Sequence, residues 1–487
     1  MPAVILTIDQ GTTSSRVILF DANGVAQKTF RRELKCNYPQ EGWVEQDASQ
    51  IWQDCFEMCE LAIAYAANNE LTIHSIGITN QRETVVFFDK ETQQPLAPAI
   101  VWQDRRSSDF CQELLESNHG DEVTRRTGLF IDAYFSASKI RWGLKNIEEV
   151  KAAAQCNRLA VGTIDSWLLF KLSKGSMHAT DSSNASRTML FDIIQHDWCD
   201  ELLDLFSVPK NALPRVLRTI DDYGLTASGL FDITLPIKAM IGDQQAATIG
   251  QDCLAVGDGK CTLGTGAFAM QNIGSKFENN SDGLLTTILY TKDKVIHYAS
   301  EGSIFSSGST LQWLRDSLGV IEHAADSELM AKEIDGAGGV FFVPAFNGLG
   351  SPHWQPTARA LLCGISSKTS KKEIVRAALE SVSYQCHDLF NDNCPSVLKV
   401  DGGMAANDWL LQHMSDILQC EIVRPPNIEA TAWGAARCAG SELGLLKPID
   451  RGTISDNRFR PQMDSAKRNQ LLNDWHAAVT SCIRHHA

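Results

Sequence analysis

Three short stretches set a carboxylate among small or glycine-rich neighbours, the mixture that handling a phosphoryl group requires. The first is Asp9-Gln10-Gly11-Thr12-Thr13-Ser14-Ser15-Arg16. A tight turn of small hydroxyl residues presents successive backbone N–H groups, which suit phosphate oxygens. Asp9, at the end of an apolar run, is placed to hold magnesium through water, because that ion keeps much of its hydration. Arg16 is placed to reach a phosphate. A plain hairpin turn accounts for the same residues. The second stretch is Gly242-Asp243-Gln244-Gln245-Ala246-Ala247, where the apolar run Ile237 to Ile241 delivers Asp243 to the start of a helix. Asp243 is compatible with a helix N-cap. It is equally compatible with a general base that accepts the proton of a substrate hydroxyl beside a helix end suited to phosphate, and it is a second candidate contact for magnesium. The third is Val400-Asp401-Gly402-Gly403-Met404-Ala405-Ala406-Asn407. Its glycines let backbone approach a flat ligand, and Asn407 offers an amide to an adenine edge or a ribose; a simple strand-to-helix turn is the alternative. None of the three is a P-loop or a dinucleotide fingerprint.

The elements that must position these residues alternate between strand and helix signals, which predicts an α/β architecture. Val4 to Ile8, the Gly-Thr-Thr-Ser-Ser turn and Arg16 to Phe20 form a hairpin, and Asp21-Ala22-Asn23-Gly24 is a second turn. Asp47-Ala48-Ser49-Gln50 starts a helix whose apolar positions include Ile51, Cys55, Leu61 and Ile63. Ile73 to Thr79 is a strand. Near the middle, Lys260 to Leu263, the turn Gly264-Thr265-Gly266 and Phe268 to Met270 repeat the strand, Gly-Thr turn and strand of the N-terminus. The repeat suggests two similar lobes, 1–250 and 251–487, with their glycine turns facing one cleft. Ser370-Lys371-Lys372-Glu373 is a capping box opening a helix through Ile374, Ala378 and Val382, and Leu398 to Asp401 is a strand. After about residue 448 the chain is polar and offers no clear element.

Composition narrows the function. The 487 residues are 44% hydrophobic and 21% charged, an ordinary globular balance, and the length favours two large domains. A net charge of −15 without any run of Lys and Arg argues against a nucleic-acid partner. The N-terminus lacks a basic leader, and no uncharged run nears the roughly 20 residues of a membrane helix. Fourteen cysteines without a Cys-x-x-Cys pattern predict reduced, mostly buried thiols and a cytoplasmic protein rather than a disulfide or zinc framework.

The order and separation of the three stretches resemble the FGGY carbohydrate kinases, which share the actin and heat-shock ATPase fold. Tyr134-Phe135-Ser136-Ala137-Ser138-Lys139-Ile140-Arg141-Trp142 is similar to one signature of that family, and Ala360 to Glu380 to the other. The resemblance runs from Ile5 to about Arg460 and implies two actin-like (ribonuclease H-like) ATPase lobes with a ligand cleft between them. Gly77 to Thr84, Ala99 to Arg106 and Asn184 to Phe191 are similar to family members that phosphorylate glycerol with ATP. The likeness implies that Arg82, Glu83, Tyr134, Asp243 and Gln244 contact glycerol, with Trp102 and Phe268 as apolar walls. It implies that Thr12, Thr13, Ser14, Arg16, Thr265, Gly308, Gln312, Gly403 and Asn407 contact ATP, that Asp9 and Asp243 serve Mg2+, and that the chain forms a homo-oligomer. Without the resemblance, Arg82 and Glu83 read as an ion pair on an exposed strand end, worth little. Some members carry an arginine-bearing glycine loop for fructose 1,6-bisphosphate where this chain has Phe231-Asp232-Ile233-Thr234, which implies indifference to that effector.

Overall fold

The computed structural model describes residues 1–277, 283–426, 429–448 and 457–485. Its first strand, β1 (Ala3–Gln10), is buried from Val4 onward, so both of its faces need cover. It turns into the antiparallel β2 (Ser14–Asp21) and β3 (Ala26–Glu33). Helix α1 (Ala48–Asn68) begins where the Asp47 carboxylate accepts the N–H groups of Ser49 and Gln50, and it carries the chain back so that β4 (Thr72–Asn80) joins β1 in parallel. Cys55 and Cys59 pack inward from α1, whereas Leu61 is 49% exposed and does not belong to its buried face, correcting the expected apolar set. Much later β5 (Ile237–Gly242) adds in parallel to β4, completing the order β5-β4-β1-β2-β3.

The second sheet repeats this plan. Strands β6 (Gly259–Leu263), β7 (Ala267–Gly274), β8 (Leu285–Lys292) and β9 (Val295–Ile304) pair antiparallel. The capping box at Ser370 and Glu373 opens helix α4 (Lys371–Phe390), after which β10 (Val397–Asp401) and β11 (Glu421–Arg424) add in parallel to β6. The run β9-β7-β6-β10-β11 matches the first sheet strand for strand, with β8 and β12 (Asn457–Phe459) as extra edges. The short strand-turn-strand repeat in the sequence is therefore the visible end of a duplicated unit. Beyond residues 449–456, which lie outside the described set, the polar tail holds a 21-residue helix, α7 (Ser465–His485), that its composition did not signal.

Two helices join the lobes. Helix α2 (Asp243–Gly250) follows β5 directly, and α6 (Ala430–Ala439), though late in the chain, lies against α2 and the first sheet. Their shared core takes Ile5, Ile18 and Ala246 from one side and Met270, Leu289 and Ala299 from the other. The contact is backbone on backbone: a Cβ at Gly434 would stand 1.8 Å from the Ala246 carbonyl oxygen, and one at Gly250 1.9 Å from that of Ala430. Such separations are far inside van der Waals contact, so neither site admits a side chain unless a helix moves.

Gly434→Ala should accordingly destabilise the protein by roughly 1–3 kcal/mol or more through overpacking. Gly336→Ala, where an added Cβ meets nothing within 4 Å, should stay within about 0.5 kcal/mol of wild type. Urea unfolding monitored by tryptophan fluorescence distinguishes the two, and equal effects would show that the helices separate at little cost.

Candidate active site

Strand ends deliver the site. Immediately after β4 the chain makes a tight turn: the Thr84 N–H donates to the Arg82 carbonyl at 2.7 Å across Glu83, which sits at φ 61°. A non-glycine residue in this three-residue turn is strained and persists only where its surroundings hold it. Here they do. Arg82 and Glu83 are 3% and 1% exposed, so the expectation of a surface ion pair is wrong for both. Arg82 donates to both oxygens of Glu301 on β9, at 2.7 and 2.9 Å. Its Nε lies 3.3 Å from Asp243, and further donations reach Gln245 at 3.2 Å and the Tyr134 hydroxyl at 3.4 Å. Arg187, also fully buried, donates from Nε to Glu83 at 2.7 Å and from Nη2 to Glu301 at 3.1 Å. Two arginines and two glutamates thus form a closed buried ring that ties the first lobe to the second.

The ring members differ in electrostatic outcome. Glu301 opposes burial with two guanidinium partners, which hold its carboxyl down at about 2. Glu83 has the same Arg187 but only a long 3.8 Å approach from Arg82 Nε. Burial wins there and raises it. Asp243 is the first residue of α2, not its N-cap, which is Gly242; the capping alternative is thereby removed. One of its oxygens accepts the Gln244 N–H at 2.7 Å. Burial raises its pKa against the pull of Arg82 and Lys260, and Asp9, at a strand end of the same sheet, pushes the same way.

Aromatic rings wall this polar floor. Trp102 meets Tyr134 edge-on at 5.7 Å between centroids and Phe268 at 6.4 Å, and its indole N–H donates to the Thr12 hydroxyl at 2.9 Å. The Tyr134 turn is fixed from beneath by buried Lys139, which donates to the carbonyls of Ala133, Tyr134 and Phe135 at 2.6–3.0 Å. Gln244 accepts from buried Lys260, which also reaches Thr262 at 3.0 Å. All seven residues expected around the small substrate therefore belong to one connected group.

The residues expected at the nucleotide are more dispersed. Thr13 and Ser14 sit on the β1–β2 turn, and Arg16 is engaged by Asp9 and Glu429 rather than extended. In the second lobe the Gly264-Thr265-Gly266 turn closes on the start of helix α3 (Gly308–Asp316): the Thr265 carbonyl accepts the N–H groups of Ser307 and Ser309 at 2.9 and 3.0 Å, and the Gly264 carbonyl that of Gly308 at 2.9 Å. A Cβ at Gly308 would lie 2.6 Å from that carbonyl oxygen. Gln312 is exposed on α3. Gly402, at φ 91°, passes the chain so close to Leu263 that only glycine fits, while Gly403 faces open space. Ser307 donates to the Met404 sulfur at 3.2 Å, which fastens this turn to the start of α3. Asn407 caps helix α5 (Asp408–Leu418) by accepting the Leu410 N–H at 2.9 Å.

Sequence inspection singled out neither Glu301 nor Arg187, Gln245, Lys260 and Lys139. The usable signal for Glu301 was a lone carboxylate amid small residues in Ala299-Ser300-Glu301-Gly302-Ser303. Phe231, in the segment expected to ignore an anionic effector, stacks on Phe56 at 5.4 Å and is buried.

A duplicated sheet of this topology, with the ends of its strands meeting between the lobes, defines an actin-like ATPase fold. Residues 4–250 match the N-terminal domain of the FGGY family of carbohydrate kinases, and residues 259–443 its C-terminal domain; the chain belongs to that family. It is 46% identical to the glycerol kinase of Alcanivorax borkumensis over 484 residues, which covers 98% of this chain and 97% of the relative. It is 45% identical to glycerol kinase 2 of Thermotoga maritima over 490 residues, 98% of each chain. Among solved structures, Plasmodium falciparum glycerol kinase with ADP superimposes with a TM-score of 0.92 at 34% identity, covering 99% of this chain and 98% of that one. Xylulose kinase from Lactobacillus acidophilus shares the fold, with a TM-score of 0.89 at 21% identity over 98% of each chain.

Two predictions follow from this geometry. Because the folded Glu301 carboxyl ionises near 2 rather than its ordinary 4.5, its contribution to stability is complete above about pH 4.5 and is lost as pH falls toward 2. Its size is on the order of 3 kcal/mol. The stability difference between wild type and Glu301→Gln, from denaturant curves at stepped pH, should shrink over that window; a constant difference would contradict the ring. At Asn407, serine keeps a capping oxygen but removes the amide. Asn407→Ser should raise the KM for ATP while leaving Tm and the KM for the small substrate near wild type, whereas a lowered Tm with unchanged KM values would reduce Asn407 to a cap.

Proposed function

We infer that this enzyme transfers the terminal phosphoryl group of ATP to a primary hydroxyl of glycerol, giving sn-glycerol 3-phosphate. The observation that carries the inference is the convergence of Asp243 with the Arg82–Glu83 turn beside the ring cluster of Trp102, Tyr134 and Phe268. A three-carbon polyol needs hydroxyl donors and acceptors on one side and flat apolar surface on the other, and this arrangement offers both. The extensive identity to glycerol kinases supports the same substrate. Division of labour near residue 250 would leave the polyol mainly on the first lobe and the nucleotide mainly on the second.

The chemistry asks for positioning and one proton transfer. Arg82 and Glu83 orient the polyol, and the aromatic walls exclude water that would otherwise take the phosphoryl group. Asp243 accepts the proton of the attacking hydroxyl as the oxygen–phosphorus bond forms. Burial raises its pKa, which makes it a better base than an ordinary carboxylate. Residues for Mg2+ are present: Asp9 and Asp243, at the ends of two strands of the first sheet, both carry pKa values raised by burial, and the Asp9 charge raises Asp243 further, a situation a divalent cation relieves. Two carboxylates suit an ion held mostly by phosphates and water, which would screen phosphate charge when bound. Arg16 is ion-paired with Asp9. Among the described residues no helix is long and apolar enough to cross a membrane, and a soluble substrate pair fits action in the cytoplasm, by a homo-oligomer.

An ADP-release assay over glycerol, dihydroxyacetone, erythritol, xylulose and ribulose should give glycerol the highest kcat/KM. A ketopentose outperforming it would overturn the assignment. In the same assay Asp243→Asn should lower kcat by roughly 10²–10⁴-fold. Near-normal turnover would place the base elsewhere.

A further inference from the structure

Far along the second lobe, three histidines surround one aspartate that the kinase chemistry does not use. His387 and Asp388 lie near the end of α4, His476 lies on α7, and His353 lies in the loop beneath them. The His476 Nε2 is 3.0 Å from Asp388 Oδ1, and His387 Nδ1 is 4.0 Å from the same oxygen. The ligand atoms of His387, Asp388 and His476 all fall within 4.8 Å of one another. On the other side of the carboxylate, the Trp475 indole N–H donates to Oδ2 at 2.8 Å, and His353 Nε2 stands 3.5 Å away. His387 is 7% exposed, and its Nδ1 has no hydrogen-bond partner, nor has the buried Nε2 of His353. A buried imidazole nitrogen aimed at a carboxylate and left unpaired is costly unless something else satisfies it.

We propose that His387 Nδ1, Asp388 Oδ1 and His476 Nε2 bind a zinc-class divalent transition metal that fastens the C-terminal helix α7 to α4. Two imidazoles and a carboxylate suit zinc or its neighbours rather than magnesium or calcium, which prefer all-oxygen shells. Ligand atoms at the usual ~2.0–2.1 Å from a tetrahedral ion stand about 3.4 Å apart. The 3.0 and 4.0 Å separations from Asp388 bracket that value, and the His476 ring is half-exposed. Trp475 supplies the outer hydrogen bond that orients the ligating carboxylate. The site shares no residue with the group built around Arg82 and Asp243.

The test is calorimetric titration of the full-length, chelator-treated protein with Zn2+. Wild type should bind one equivalent with micromolar or tighter affinity and show a raised Tm. His476→Gln, at a half-exposed position, should fold normally, retain kinase activity with Mg-ATP, and lose about 10–100-fold or more in Zn2+ affinity; His387→Gln should do the same. X-ray absorption at the zinc edge should show nitrogen and oxygen neighbours without sulfur. The proposal is overturned by no binding, by binding unchanged in both variants, or by sulfur ligation, which would put the ion on cysteines elsewhere. It is also overturned if the His476→Gln Tm is lowered equally with and without Zn2+, for then the cluster is an ion pair only.

Discussion

A buried ring of two arginines and two glutamates carries much of this enzyme's design. Arg82 and Arg187 both reach Glu301, and Arg187 reaches Glu83, with essentially no exposure at any of the four. Burying four charges is expensive, and such clusters contribute little net stability compared with an apolar core of the same shape. What they supply is geometry. Arg82 has a planar fork fixed at both nitrogens by Glu301, so its Nε has a defined direction, toward Asp243. Glu83 is held in a strained turn that no isolated strand end would adopt. Remove any one charge and the remaining three are uncompensated in a dry site.

The duplicated sheets make that ring possible. Arg82 and Glu83 follow the end of β4 in the first lobe, and Glu301 stands on β9 of the second, so the ring forms only if the lobes meet at one angle. The crossing of α2 and α6 sets that angle through contacts in which Gly250 and Gly434 leave no room for a side chain. Asp243 is the first residue of α2 and therefore inherits its position from the same crossing. The second lobe's glycine turns are built differently: carbonyls of Gly264 and Thr265 accept N–H groups at the start of α3, Gly308 and Gly402 are crowded against backbone, and Gly403 faces open space.

Much of this was legible in the sequence, and what was not has a common cause. Local signals performed well: the β1–β2 hairpin, the capping box at Ser370 and Glu373, and the strand leading to Asp243 all depend on neighbours a few residues apart. The repeated Gly-Thr turn pointed to two lobes, although only the strand order revealed a full duplication. Long-range partnerships were invisible. Nothing near Arg82 in the chain announces Glu301, 219 residues away, and without it Arg82 and Glu83 look like a solvated pair. Asp243 looked like a cap because caps are common at strand-to-helix turns; the extended backbone that makes Gly242 the cap is set by packing. Helix α7 was missed because its polar composition hides the inward stripe of Leu472, Trp475, Val479 and Cys482.

The ring joins the lobes and in doing so shapes the polyol pocket. Arg187 tests it well, because its hydrogen bonds go to Glu83 and Glu301 and its guanidinium lies over Tyr134 and Phe135, while Arg82 faces Asp243. Arg187→Lys keeps the charge but replaces the fork that bridges the two glutamates with a single point. Calorimetric titration of the folded variant should show glycerol affinity weakened at least about tenfold, the loss expected when a buried charge-assisted contact worth 1.4 kcal/mol or more is removed, while ADP affinity stays at the wild-type value. Unchanged glycerol affinity, or equal losses for glycerol and ADP, would contradict the account.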